Sequence, residues 1–169
     1  MMLSWNIFLA FIWLACWGVA SPEQFVIGFL FGFSFLYLLE RTEVLGKSLY
    51  TTKVAATVGL SVFFVKELWK ANIRVAKDLL RIKPQITPAI VAVPLDLKTD
   101  WAITTLANLI TLTPGTLSLD LNEDASIIYI HTMYLDDSDK EAFIADIKNG
   151  FESRLLKLEE SPSFERGAV

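Results

Sequence analysis

LSWNIFLAFIWLACWGVASPEQFVIGFLFGFSFLYLL, residues 3–39, decides the architecture of this 169-residue chain. Residues 3–20 and 24–39 contain no Asp, Glu, Lys, Arg or His. As helices rising about 1.5 Å per residue they reach roughly 27 and 24 Å, a little short of a hydrocarbon core about 30 Å thick. Ser21-Pro22-Glu23 leaves room only for a tight turn, so the two runs predict a membrane hairpin. Trp5, Trp13 and Trp17 suit the lipid–water interface, where the ring and the indole N–H are both satisfied. A cleaved secretory leader is the competing reading, since Gly18-Val19-Ala20 resembles a cleavage site. The absent basic n-region and the second apolar run oppose it.

Further along, residues 54–65 are apolar again. Lys66, Lys70, Arg74, Lys77, Arg81 and Lys83 then recur, with Leu68, Trp69, Ile73, Val75, Leu79 and Leu80 between them. This predicts one long helix, its first part in the membrane and its second along the surface, basic side chains toward anionic headgroups. Pro84 stops it. Six basic residues in 66–83, against Arg41, Lys47 and Lys53 before the helix, place that end in the cytoplasm. Three crossings then put the N-terminus outside; a shallow hairpin or a surface-lying third segment reverses the parity.

Gly28 and Gly32 form a GxxxG pair that admits a close helix neighbour, and are the candidate packing or partner contacts. The plainer reading is a chance pair in a glycine-tolerant membrane helix. Ion or proton conduction needs ionisable groups at depth. Here Glu23 and Glu40 stand at the run ends and Glu67 at the cytoplasmic margin. The expectation is an accessory chain that does not itself conduct.

Composition agrees with the split. The chain is 53% apolar with a mean hydropathy of +0.46, more than a soluble surface of this size can hide. Eight Gly, six Pro and one Cys exclude collagen-like and disulfide-rich classes. Residues 1–83 hold nine Lys/Arg against five Asp/Glu, and residues 84–169 six against fourteen. An acidic C-terminal half argues against nucleic acid as a partner.

That half reads as a small α+β domain in the order βαββα, one sheet with two helices on one face. Residues 88–94 are a short apolar run between prolines, expected as a strand buried on both faces. Ile103, Leu106, Ala107 and Ile110 make a helix face. Thr113-Pro114-Gly115-Thr116 is a turn, Pro fixing φ and Gly accepting φ > 0. Leu117, Leu119 and Leu121 alternate onto one face of a second strand, and residues 126–133 form a third. Ser138-Asp139-Lys140-Glu141 matches a capping box. The helix after it carries Ile144, Ile147, Phe151, Leu155 and Leu158 on one stripe, with Gly150 costing about 1 kcal/mol relative to Ala. The expected organisation is therefore a membrane part at 1–83, a cytoplasmic domain at 84–160 and a flexible tail at 161–169.

Reactive constellations are missing from the sequence. His131 stands alone in a strand, with no Cys or second His to complete a zinc site. Asp136, Asp137 and Asp139 precede a helix, where a charge cluster is favoured by the dipole, and they lack the twelve-residue calcium pattern. Ser118 and Thr113 have no neighbouring base. The Thr-rich run at Thr111, Thr113 and Thr116 follows a helix C-terminus, the wrong end for an anion. It reads as a structural joint. No enzyme, metal or cofactor is expected.

Residues 88–121, PAIVAVPLDLKTDWAITTLANLITLTPGTLSLDL, resemble the signature of the E subunit of the multisubunit Na⁺/H⁺ antiporters known as Mrp, Mnh or Pha. NLITLTPGTLSL, residues 108–119, is the specific part. The resemblance implies a bacterial inner-membrane hetero-oligomer in which Na⁺ and H⁺ are handled by the whole complex, through charged residues of other, larger subunits. It brings no active-site residues to this chain. The expected role is assembly and stability of the complex; the alternative is a membrane-anchored regulatory domain binding a small effector.

Overall fold

The computed structural model describes residues 2–18, 20–41, 50–82, 86–135 and 139–159. Two compact units divide the chain, Met1–Ala55 and Ala56–Val169.

The first unit contains α1 (Met2–Trp17) and α2 (Pro22–Arg41). Gly18, at φ +68°, ends α1 in the left-handed conformation, its N–H donating to the Leu14 carbonyl. Ser21 caps α2, its hydroxyl accepting from Gln24 N, and Pro22 takes the first helical position, where no N–H is needed. The turn therefore lies before Pro22, and α2 is longer than expected: 20 residues, about 30 Å. Only α2, over Pro22–Leu39, is long and apolar enough to cross a membrane among the described residues; α1 is shorter.

The helix α3 runs from Tyr50 to Leu79. Its first half was expected within the membrane and the domain boundary at 83/84. Instead Ala56, Leu60, Phe63 and Phe64 pack into the core of the second unit, and the division falls at Ala56.

In that unit β1 (Ala89–Pro94), β2 (Thr116–Leu121) and β3 (Ile127–Thr132) form an antiparallel sheet in the order β1-β3-β2. The helix α4 (Asp100–Leu112) carries the chain from one edge to the other, and β3 returns between them. Val91 and Val93, Ile128 and Ile130 meet Ala102, Ile103, Leu106 and Ile110 of α4 in one core. Each large side chain buried there contributes about 1.5–3 kcal/mol.

The opposite face of the sheet is open. Ile90, Leu117 and Tyr129 are exposed on it, so β1, an edge strand, is buried on one face and not on both. A bulge between Ser118 and Asp120 breaks the expected alternation in β2. It turns Leu121 onto the core side opposite Ile128, while Leu117 faces out opposite His131.

The final helix is α5 (Lys140–Ile147), one π turn (Lys148–Glu152) and α6 (Ser153–Glu159). Its cap is Asp139, which accepts from Ala142 N at 2.9 Å, one residue later than the expected box; Ser138 lies outside the described residues. Gly150 sits in the π turn, where an added Cβ would meet the Phe63 ring at 3.1 Å. Arg154 donates to the carbonyls of Gly150 (2.6 Å) and Asn149 (3.2 Å) there. Its guanidinium lies 3.8 Å over the Phe63 ring.

Two carboxylates seven residues apart hold the β1–α4 loop. Glu152 accepts from Asp96 N, and Glu159 from Lys98 N and Thr99 N. Glu152 is 1% exposed, and Lys148 reaches 2.7 Å from Asp96 Oδ2 and 3.4 Å from Glu152 Oε2. Glu152→Ala leaves the Asp96 N–H without its acceptor and takes from Lys148 one of its two partner carboxylates, a loss of about 1–3 kcal/mol. Glu152→Gln keeps an acceptor for Asp96 N and is expected to lose clearly less. Urea unfolding midpoints of the detergent-solubilised chain and both variants check this order.

Candidate functional site

Three places bear on function: the hairpin interior, the joint at residues 111–116, and the groove that α3 makes with that joint.

In the hairpin, Gly28 and Gly32 face α1. A Cβ at Gly28 would fall 2.7 Å from Trp13 Cβ, and one at Gly32 would strike the amide oxygen of the fully buried Asn6. The close approach that GxxxG permits is thus used by the chain's own first helix. Trp13 stacks on Phe31 with centroids 4.9 Å apart, and its indole N–H donates to Gln24 Oε1 at 3.1 Å. Glu23 is exposed in the first turn of α2, and Glu40 belongs to its last.

The joint ends α4 with hydroxyls. Thr113 Oγ1 donates to the Leu109 carbonyl at 2.9 Å, and Thr116 Oγ1 donates to that of Ile110 at 2.6 Å. Thr111 Oγ1 accepts from Ser118 N, and Ser118 Oγ donates to the Ala107 carbonyl. The bonds from Thr113 and Thr116 satisfy two of the carbonyls that the helix C-terminus leaves over, Leu109 and Ile110. After Pro114, Gly115 turns the chain at φ +92°, and an added Cβ there would lie 3.2 Å from the Tyr134 ring. Its carbonyl accepts from Met133 N at 2.8 Å, tying the turn to the end of β3. Thr111, Thr113, Pro114, Gly115 and Thr116 are brought together as one corner.

Beside this corner, α3 closes a groove. One cavity of about 310 Å³ is lined by Lys70, Arg74, Pro114, Gly115, Tyr134 and Phe143 among others. A second of about 390 Å³ continues along α3 past Phe63, Asn149 and Arg154. Glu67 lies in the lining of both, and Lys70 pairs with it at 2.6 Å. The lining mixes Lys70 and Arg74 with Glu67, Asp139 and Asp146, so it has no single sign for one ionic ligand.

Sequence reasoning missed the cluster around Tyr134. Arg74 lies 4.4 Å over its ring, and Asp78, buried, accepts from its hydroxyl and pairs with Arg81 at 3.2 Å. The available signal was Asp78 itself, one acid on the inner face of a basic helix. His131 is half-buried on the open sheet face; Asp136 and Asp137 lie outside the described residues.

Burial, then the hydrogen bond and negative charge of Asp78, push the Tyr134 hydroxyl above its ordinary pKa, against the opposing charge of Arg74. At Lys148 burial pulls the value down, but the Asp96 hydrogen bond and the charges of Glu152 and Asp96 outweigh it, and the net shift is upward. Both groups keep their protons longer folded than unfolded. Their stabilisation is complete below about pH 10, the unfolded values, and is lost as pH rises through the folded ones. Thermal midpoints in detergent should hold to about pH 10 and then fall; Tyr134→Phe should make the fall shallower.

A family described as a Na⁺/H⁺ ion antiporter subunit matches residues 6–158. The E subunit of the Na⁺/H⁺ antiporter of Bacillus subtilis is 39% identical over 153 residues, covering 90% of this chain and 94% of that one. Its counterpart from Alkalihalophilus pseudofirmus is 42% identical with the same coverage. Among solved structures, a chain of the membrane-bound sulfane sulfur reductase, an archaeal respiratory membrane complex, is similar at a TM-score of 0.54 and 31% identity. The match covers 91% of this chain and 96% of that one. Matched almost end to end by these relatives, the chain belongs to the E-subunit family of the Na⁺/H⁺ antiporters.

Proposed function

We propose that this chain is an accessory, non-conducting membrane component of a hetero-oligomeric monovalent cation/proton antiporter, contributing to assembly and stability of the complex. Its place is the bacterial inner membrane, with the sheet domain on the cytoplasmic side and other antiporter subunits and lipid as partners. The observation that carries this reading is the hairpin. Residues 3–20 and 24–39 contain no titratable Asp, Glu, Lys, Arg or His, and the buried residues of the hairpin are Asn6, Ala10, Leu36 and the two glycines. A proton relay needs ionisable groups at depth. Glu23 and Glu40 mark the ends of α2, and Glu67 is held by Lys70 in the groove; none of them is within α1 or the middle of α2.

The groove supports a second reading, a small effector bound against residues 113–116 with regulation as the outcome. A saturable thermal shift of the full chain with a metabolite panel would favour it.

Liposomes holding only this chain should show no Na⁺/H⁺ exchange above protein-free vesicles. Removing the chain from the assembled antiporter should abolish exchange and release or destabilise other subunits. Exchange by the chain alone, or an intact and fully active complex without it, contradicts the proposal.

A further inference from the structure

Within the unit Ala56–Val169, the outer face of α3 is left uncovered by the other elements among the described residues. Val58, Val62, Val65, Trp69 and Ile73 recur at spacings of four, three, four and four, and are 41–71% exposed. The inner face, Ala56, Leu60, Phe63 and Phe64, is packed into the domain core. The helix thus has two apolar faces, and only one is covered within this unit.

Its charges are arranged by side. Lys66 and Lys77, both exposed, flank the stripe on one side, while Lys70 and Arg74 stand further round and turn to Glu67 and the Tyr134 ring in the groove. Over its length α3 carries five Lys/Arg against two Asp/Glu, and Glu67 and Asp78 turn inward to Lys70 and Tyr134. An exposed apolar stripe edged by cations is the pattern of a helix lying in the interface of an anionic bilayer. Exposed Trp69 suits that depth.

We propose that α3 lies flat on the membrane, its Val58–Val62–Val65–Trp69–Ile73 stripe among the upper acyl chains and Lys66 and Lys77 at anionic headgroups, and does not cross. This rests on the membrane reading of the hairpin proposed above. It makes α3 the platform on which the sheet domain is mounted, its inner face holding the domain and its outer face holding lipid.

The test uses the full chain in a Cys16→Ser background, reconstituted in vesicles of phosphatidylglycerol and phosphatidylethanolamine. Spin labels are placed by Val58→Cys, Val62→Cys, Val65→Cys, Trp69→Cys, Ile73→Cys and, on α2, Leu30→Cys. Depth is read from collisions with oxygen and with a water-soluble nickel chelate. A flat helix gives five shallow depths agreeing within about one turn, 5 Å, whereas a crossing helix descends about 22 Å from position 58 to 73. That gradient overturns the proposal, as does shielding of all five labels from both quenchers, which means a protein surface covers the stripe. Labels in water along the stripe with Leu30→Cys deep in lipid overturn it alone; water at both positions overturns the membrane reading with it. Lys66→Glu with Lys77→Glu should lose the stripe's oxygen contact in these vesicles. Unchanged depths in that variant overturn the role of the headgroup charge.

Discussion

The Phe63 ring meets Phe151 edge-on with centroids 5.1 Å apart, lies under the Arg154 guanidinium, and rests where Gly150 leaves out a side chain. This contact binds α3 to the π turn of the last helix. From it follow the groove along α3, the inward placement of Glu67 and Asp78, and the outward turn of the Val and Trp stripe. The π turn is part of the same arrangement. Widening the helix by one residue frees carbonyls that Arg154 and Ser153 then satisfy, and it brings Glu152 to the Asp96 N–H.

The joint at 111–116 completes this framework from the other side. Hydroxyls close the end of α4, Gly115 turns against Tyr134, and Tyr134 is gripped by Arg74 and Asp78 of α3. The stretch read in the sequence as the family signature is thus held by packing and hydrogen bonds within the chain. It offers backbone carbonyls and threonine hydroxyls that are already occupied, which suits a chain whose proposed work is to hold neighbours in place.

Much of this was legible in the residues, and the failures have physical causes. The spacing of Ile103, Leu106 and Ile110 located the buried face of α4, and Pro114-Gly115 located its turn, because both signals are local. The face of β2 was misjudged at Leu121, since a bulge is chosen by the pairing strand and leaves no mark in TLSLDL. The last helix kept a plausible stripe through its π turn, because spacings of three and four absorb one extra residue. The two-sided packing of α3 was the least legible. Leu60 and Phe63 face the core while Val58, Val62 and Val65 face outward, and two apolar faces on one helix read in sequence as a membrane segment. Tyr134 and Glu152 went unnoticed for a related reason: their partners, Asp78 and Asp96, are more than fifty residues away.

The central claim is that α3, from Ala56 onward, is part of the sheet domain's cooperative unit. Hydrogen exchange of the full chain in detergent under native conditions tests it most directly. Amides of residues 60–78 should open with the same free energy as those of β3 and α4, and Phe63→Ala should lower all three together. Exchange of residues 60–78 that is independent of the sheet, and unmoved by that substitution, would contradict the account.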